Sequence, residues 1–177
     1  IAIDPNLAEA HAAAGLTNCI AQWDQPAAER SFLRALALKP SLLTAHHWYG
    51  GYLMRAGRFE EALQQAEEAR RLDPLSLPTL VFLGWVHHYR REYGKAIAVA
   101  DEAIRLDAAF PHGYQLKALA AAASGNRTMA LAASEQAVRG ISDEAVAIRF
   151  RGLALSVLPG MEKEAREAAE RLALLSK

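Results

Sequence analysis

Apolar residues along this chain fall at spacings of three and four, and the stripes they make recur. Phe59, Ala62, Leu63, Ala66, Ala69 and Leu72 mark one stripe, the pattern of a helix with a single buried face. Ala96, Ala100 and Ala103 repeat its alanines 34 residues later, with Ile97, Ile104 and Leu106 on the same side. Ala28, Phe32, Ala35, Leu36 and Leu38 form an earlier copy, and Ala130, Leu131, Ser134, Ala137 and Val138 a later one. Three of the stripes end alike, in Leu38-Lys39-Pro40, Leu72-Asp73-Pro74 and Leu106-Asp107-Ala108, again 34 residues apart. In the first two, proline's ring and missing donor oppose further helix and restrict the residue before it.

A second apolar segment precedes each stripe: Trp48, Tyr49, Leu53 and Met54 before one, Leu80, Leu83, Gly84 and Val86 before the next. The breaks between the two segments are predicted at Trp23-Asp24-Gln25-Pro26, Ala56-Gly57-Arg58, around Tyr93-Gly94, at Ser124-Gly125-Asn126 and at Leu158-Pro159-Gly160. A period of 34 is that of a helix-turn-helix unit stacking on a copy of itself. Neither helix of such a unit buries its face alone, so the units must pack neighbour on neighbour. The expected organisation is one all-α domain over 1–177, with repeats at 8–42, 43–76, 77–110, 111–144 and 145–177. Residues 1–7 read as the tail of a preceding repeat, because Asp4-Pro5 holds the place of Asp73-Pro74. The chain is therefore expected to be a piece of a longer protein.

Gly15, Gly50 and Gly84 occupy matching places in the first segments. A glycine inside a helix costs about 1 kcal/mol, so its recurrence predicts a close helix crossing with no room for a side chain. Trp23, at the first turn, is expected to lie as a lid over its helix pair, with an exposed indole as the alternative.

Composition narrows the function. Apolar residues make up 52% of the chain and charged residues 23%, without a stretch resembling a membrane span. Lys plus Arg equals Asp plus Glu, at 20 each, so no basic face is expected and direct nucleic-acid binding is disfavoured. The single cysteine, Cys19, has no internal partner for a disulfide. It reads as a buried free thiol in a reducing, cytoplasmic setting. Asn126-Arg127-Thr128 has the form of a glycosylation acceptor but fits a turn better.

Two histidine pairs, His46-His47 and His87-His88, raise a metal reading. Adjacent helical residues point about 100° apart and no thiolate or carboxylate cluster completes the set, so neither metal nor cofactor is expected. The chain also lacks a phosphate-cradling glycine loop, a nucleophile elbow and a metalloprotease histidine motif, so it is not expected to be an enzyme. Glu60-Glu61 and Glu67-Glu68 read as solvated helix faces.

These helical pairs resemble tetratricopeptide repeats. Trp48, Tyr49-Gly50, Ala62, Ala66, Ala69 and Pro74 match that family's pattern in the second unit, as do Leu80, Leu83-Gly84, Ala96, Ala100 and Ala103 in the third. Gly15, Phe32, Ala35 and Pro40 match in the first. The fourth departs, with Lys117-Ala118 where Leu-Gly is expected. A narrower similarity, carried by Trp23-Asp24-Gln25-Pro26, His46-His47-Trp48-Tyr49 and Gly57-Arg58-Phe59, is to repeat regions of large bacterial multidomain proteins. Such regions often follow a winged-helix DNA-binding domain or a serine/threonine kinase domain.

The resemblance implies a right-handed superhelical solenoid of antiparallel helix pairs whose first helices line a concave groove. In that frame the second unit presents Thr44, His47, Gly51, Met54 and Arg55 to the groove, and the third Pro78, Val81, Trp85, His88 and Tyr89. The first presents Cys19 and Ile20 among others, the fourth His112 and Gln115, and the fifth Val146, Arg149, Leu153, Ser156 and Val157. His46 and His87 then face the core. His47, Arg55, Trp85, His88, Tyr89 and Gln115 are the candidate partner-binding residues, for a protein or peptide ligand. Trp85 and Tyr89, four apart on one helix, can form one aromatic patch, and aromatics with a polar handle are frequent interface anchors. The alternative is that both pack against the next repeat. The lysine, asparagine and arginine with which some members hold a C-terminal carboxylate are replaced by His47, Gly51, Val81 and Trp85. Self-association, or a role as the sensor arm of a bacterial transcriptional regulator or kinase, is the competing expectation.

Overall fold

The computed structural model describes residues 6–139, 152, 156 and 160–175. The expectations for Asp4-Pro5, for Leu158-Pro159 in the last break and for Val146, Arg149, Leu153 and Val157 lie outside them. Among the described residues the chain is all helical, in antiparallel pairs. It divides into two compact units, 1–89 and 90–177.

The first unit holds α1 (Ala8–Ile20), α2 (Gln25–Leu38), α3 (Leu43–Arg55), α4 (Phe59–Leu72) and α5 (Leu77–Tyr89). α1 pairs with α2 and α3 with α4, while α3 also packs on α1, α2 and α5. The alanine stripe is the seam: Ala28, Ala35, Ala62, Ala66 and Ala69 are fully buried. Gly15 and Gly50 are buried where bulky rings cross them. A Cβ at Gly15 would lie 2.7 Å from the ring of Phe32 on α2, and one at Gly50 would overlap the ring of Phe82 on α5. Phe32 is fully buried and Phe82 nearly so. Gly15 and Gly50 therefore mark close crossings, although Gly15 meets its own partner helix and Gly50 the next first helix.

The second unit holds α6 (Tyr93–Leu106), α7 (Pro111–Ala123), α8 (Arg127–Val138) and α9 (Glu162–Leu175). α7 packs on α6 and α8, with Gly113 against Ile104 and Ala100. Asn126 caps α8, its side chain accepting from the Met129 N–H at 3.1 Å. The would-be glycosylation triplet is thus a helix start.

Two residues ahead of α2, α4, α6, α8 and α9 stand Trp23, Gly57, Arg91, Gly125 and Gly160, each with positive φ. At Gly57 the turn closes a helix-stop motif: Gly57 N–H donates to Met54 O and Arg58 N–H to Leu53 O. Gly125 and Asn126 do the same with Ala122 and Ala121. The break expected around Tyr93-Gly94 lies earlier, at 90–92, and Gly94 sits in the first turn of α6. Arg91 takes the left-handed position with φ 62°, so the nearest glycine was not the turn residue.

Trp23 departs from its expected place as a lid. Its φ is 54° and it is 78% exposed. The first turn is one residue longer than the others, with Asp24 N–H reaching back to Asn18 O, and this carries the indole outward. Asp24 still caps α2 through the Ala27 N–H at 2.9 Å, and Pro26 stands in the first turn.

Candidate functional site

The candidates in the first unit fall into two groups. At the C-terminal end of α5, Trp85, His88 and Tyr89 meet in one cluster. Ring centroids are 6.1 Å apart for Trp85–Tyr89, 5.6 Å for Trp85–His88 and 5.5 Å for His88–Tyr89. Tyr89 also stacks on Phe59, the first residue of α4, at 6.2 Å and 3° between planes. Tyr89 nonetheless keeps 54% of its surface open. Tyr89 is therefore partly packed, on the repeat before its own, and partly presented.

His47 lies half-buried on α3 with its ring 4.9 Å from Phe82. Burial lowers the pKa of His47 and of His88 below the ordinary histidine value, so both are neutral at pH 7. They contribute ring surface rather than charge. His46 and His87 are buried, as their core-facing register requires. His46 spans from the Pro40 carbonyl, 2.7 Å from Nε2, to the Gln65 side chain, 2.8 Å from Nδ1. Among the described residues no group of three or more His, Cys, Asp or Glu is placed to hold a metal ion.

Arg55 ends α3 in a different setting. Its Nη2 donates to Cys19 Sγ at 2.9 Å. Around it opens a cleft of about 520 Å³ lined by Cys19, Ile20, Trp23, Gln25, Tyr52, Arg55 and Ala56. Cys19 is buried and carries a free thiol. Beneath the cleft, Glu29 of α2 accepts from Tyr49 Oη at 3.0 Å, from Arg58 Nη1 at 2.6 Å and more distantly from Tyr52 Oη at 3.4 Å. Burial opposes ionisation of Glu29, but the bonds from Arg58 and Tyr49 outweigh it and hold its pKa below the ordinary value. Burial and that carboxylate push Tyr49 up to about 12. Tyr49 and Tyr52 thus stay protonated donors, and the network is a structural tie between α2 and α3.

No protein-family model matches the chain. Transcriptional regulator HilA of Salmonella typhimurium is 34% identical over 71 residues, which are 40% of this chain and 13% of HilA. TTC0263, a thermophilic tetratricopeptide protein of Thermus thermophilus, superposes with a TM-score of 0.78 at 19% identity, covering 93% of this chain and 89% of that one. YrrB, a tetratricopeptide protein with an unusual peptide-binding site, superposes at 0.61 and 20% identity, covering 96% and 84%. This chain has the tetratricopeptide-repeat fold.

Within this fold the sixth candidate, Gln115, lies half-buried on α7 of the second unit. The sequence reading missed Phe59 as the platform for Tyr89 and Tyr52 as a wall beside Arg55; Cys19 was expected on the groove side, and an exposed Trp23 only as the alternative. A signal was present in the repeat itself. Phe59 and Tyr89 stand 34 residues after Gln25 and Arg55, so both pairs occupy one position of the repeat. Among the described residues no helix is long and apolar enough to cross a membrane.

Proposed function

We propose that this chain is a non-catalytic binding module that takes a peptide segment or partner domain against the first helices of its repeats. In the first unit His47, Arg55, Trp85, His88 and Tyr89 would form the recognition surface, with Gln115 as the candidate in the second unit. The observation that carries this reading is the aromatic cluster at the end of α5, where Tyr89 is held flat by Phe59 yet stays more than half exposed. A preordered ring of this kind buries area at small entropic cost on binding. The fold shared with YrrB, described as having an unusual peptide-binding site, supports it. A free, buried thiol is compatible with a cytoplasmic setting.

The test selects binders from a random peptide library displayed on phage and compares them on wild type and on the double variant Trp85→Ala/Tyr89→Ala. Affinity should fall about tenfold or more while the cooperative melt persists. Binding that survives both changes refutes the anchor.

The likeness to HilA favours a second reading, in which the chain is the sensor or scaffold arm of a bacterial regulator and docks on another domain or on itself. Leu7, Ile20, Leu33 and Leu75 are exposed apolar residues available to such contacts. Sedimentation over a concentration series tests self-association, and a monomer at every concentration argues against it.

A further inference from the structure

The cleft around Arg55 has features the aromatic patch lacks. Arg55 donates to Cys19 Sγ, and no carboxylate lies within ion-pair distance of its guanidinium among the described residues. Glu29, the nearby acid, is already engaged by Arg58 at 2.6 Å. The α2 N-terminus beside the cleft carries no acidic residue in its first turn, and Asp24 is turned onto the Ala27 N–H. Arg55 is therefore the one charged side chain among the residues that line the cleft, and a guanidinium fork suits a carboxylate.

The remaining walls are Ile20, Trp23, Tyr52 and Ala56, with the polar Gln25 among them. Trp23 holds a left-handed backbone where three of the five matching turns carry glycine. Such an outlier motivates a search for function at the residue that bears it. Trp23 and Ile20 are 78% and 56% exposed, so the cleft covers one side of a ligand and leaves the other open. That suits a segment of a longer chain better than an enclosed small molecule. Its volume of about 520 Å³ is within the range of natural ligand sites.

We propose that the cleft walled by Trp23, Tyr52 and Arg55 binds an acidic, aliphatic peptide segment of a partner protein, an aliphatic side chain entering between the rings while Arg55 pairs with a neighbouring carboxylate. This rests on the peptide-binding reading above only through Arg55 and the class of ligand. Apolar burial against Trp23 supplies attraction, and the ion pair sets the preference for an acid.

The experiment uses the whole chain and a fluorescein-labelled, C-terminally amidated hexapeptide of alternating leucine and glutamate, read by fluorescence anisotropy. Companion peptides carry Gln for Glu or Ala for Leu. The Leu-Glu peptide should bind about tenfold tighter than either companion, and weaken with added salt. Arg55→Gln and Trp23→Gly should each weaken it about tenfold, while Arg91→Gly, at the matching turn position, should not. Trp23→Gly relieves a strained φ, so its melting temperature should hold or rise, which separates lost binding from lost folding. Equal binding of the Leu-Gln peptide, unchanged binding by Trp23→Gly, or no saturable binding overturns the proposal. If Trp85→Ala/Tyr89→Ala alone abolishes binding, the cleft is wrong and the aromatic patch stands.

Discussion

One position of the repeat is occupied twice in the first unit, with opposite results. Where α4 begins and α5 ends, Phe59 and Tyr89 pack with parallel ring planes, their centroids 6.2 Å apart. Where α2 begins and α3 ends, Gln25 and Arg55 stand in the same places and a cleft of about 520 Å³ remains. The ties beneath them differ as well. The open place rests on the Glu29 carboxylate and its tyrosine and arginine donors. Two turns before Tyr89 on the same helix, the Phe82 ring is wedged over Gly50 with His47 against it, an apolar tie between α3 and α5. A shared backbone spacing thus fixes where side chains meet, and their identity decides whether the meeting is packed or open.

The largest effect is expected at the apolar tie. Gly50→Ala recovers about 1 kcal/mol of helix propensity. Overlap with the nearly buried Phe82 ring, and a Gln65 Cβ at 3.2 Å, costs more, leaving a net loss of about 2 kcal/mol by denaturant titration. Gly51→Ala is the control. Its nearest neighbour would be Arg55 Nη1 at 3.9 Å, so it should stabilise. If Gly50→Ala also stabilises, the Phe82 ring does not fix the crossing of α3 and α5.

The polar tie is tested by Glu29→Ala, which strands Tyr49 and Arg58 and should cost about 1.5 kcal/mol. Acid separates the two places further. Folded His47 and His88 have lowered pKa values, so their contribution is complete above the unfolded value near 6.5 and erodes as pH falls below it. Glu29 is also lowered, so its contribution is complete above about 4.5 and is lost as pH falls through its folded value. Melting temperature against pH should therefore fall in two stages. His47→Gln with His88→Gln should flatten the upper stage and Glu29→Gln the lower. A single stage unaffected by Glu29→Gln would remove the carboxylate from the polar tie.

Much of this was legible before coordinates. Alanines at spacings of three and four announced the seam, since small side chains on one face imply close helices, and Ala62, Ala66 and Ala69 are fully buried. Glycines at matching places announced the crossings. The histidine pairs sorted correctly into a buried and a half-buried member, because a register fixes direction along a helix. Contacts that depend on how far one helix slides past another were not legible. Glu29 reaches Tyr49 and Arg58 from 20 and 29 residues away, and Arg55 reaches Cys19 from 36. Periodicity identifies a face, but it does not specify the opposing side chain. The left-handed turns at Trp23 and Arg91 were hidden for another reason: the side chains there are poor ones for that backbone, so composition pointed elsewhere.

Converting the open place into the packed one sharpens the comparison. Gln25→Phe with Arg55→Tyr reproduces the Phe59–Tyr89 pair on the preceding helices. Stacking should add about 1 kcal/mol, fill the cleft and abolish binding of the Leu-Glu peptide. A double variant that gains no stability would mean that the backbones at the two places are not equivalent.

The smallest effect concerns Trp23 alone and bears most directly on why the cleft stays open. A left-handed φ costs a non-glycine residue roughly 1 kcal/mol, and the indole recovers little by packing because it is 78% exposed. Trp23→Gly removes that cost but returns part of it as unfolded-chain entropy. The expected net gain is about 0.5 kcal/mol, or about 1–2 °C in Tm for a chain of this length. Arg91→Gly should shift in the same direction, since Arg91 is exposed and has φ 62°. Trp23→Ala keeps the strain and loses the ring, so its stability should stay within about 0.5 kcal/mol of wild type. If glycine and alanine at 23 both destabilise by more than about 1 kcal/mol, the indole packs in solution as a lid and the cleft is closed after all. If glycine stabilises, this chain carries a tryptophan where folding alone would favour glycine, and binding is the remaining reason for the ring.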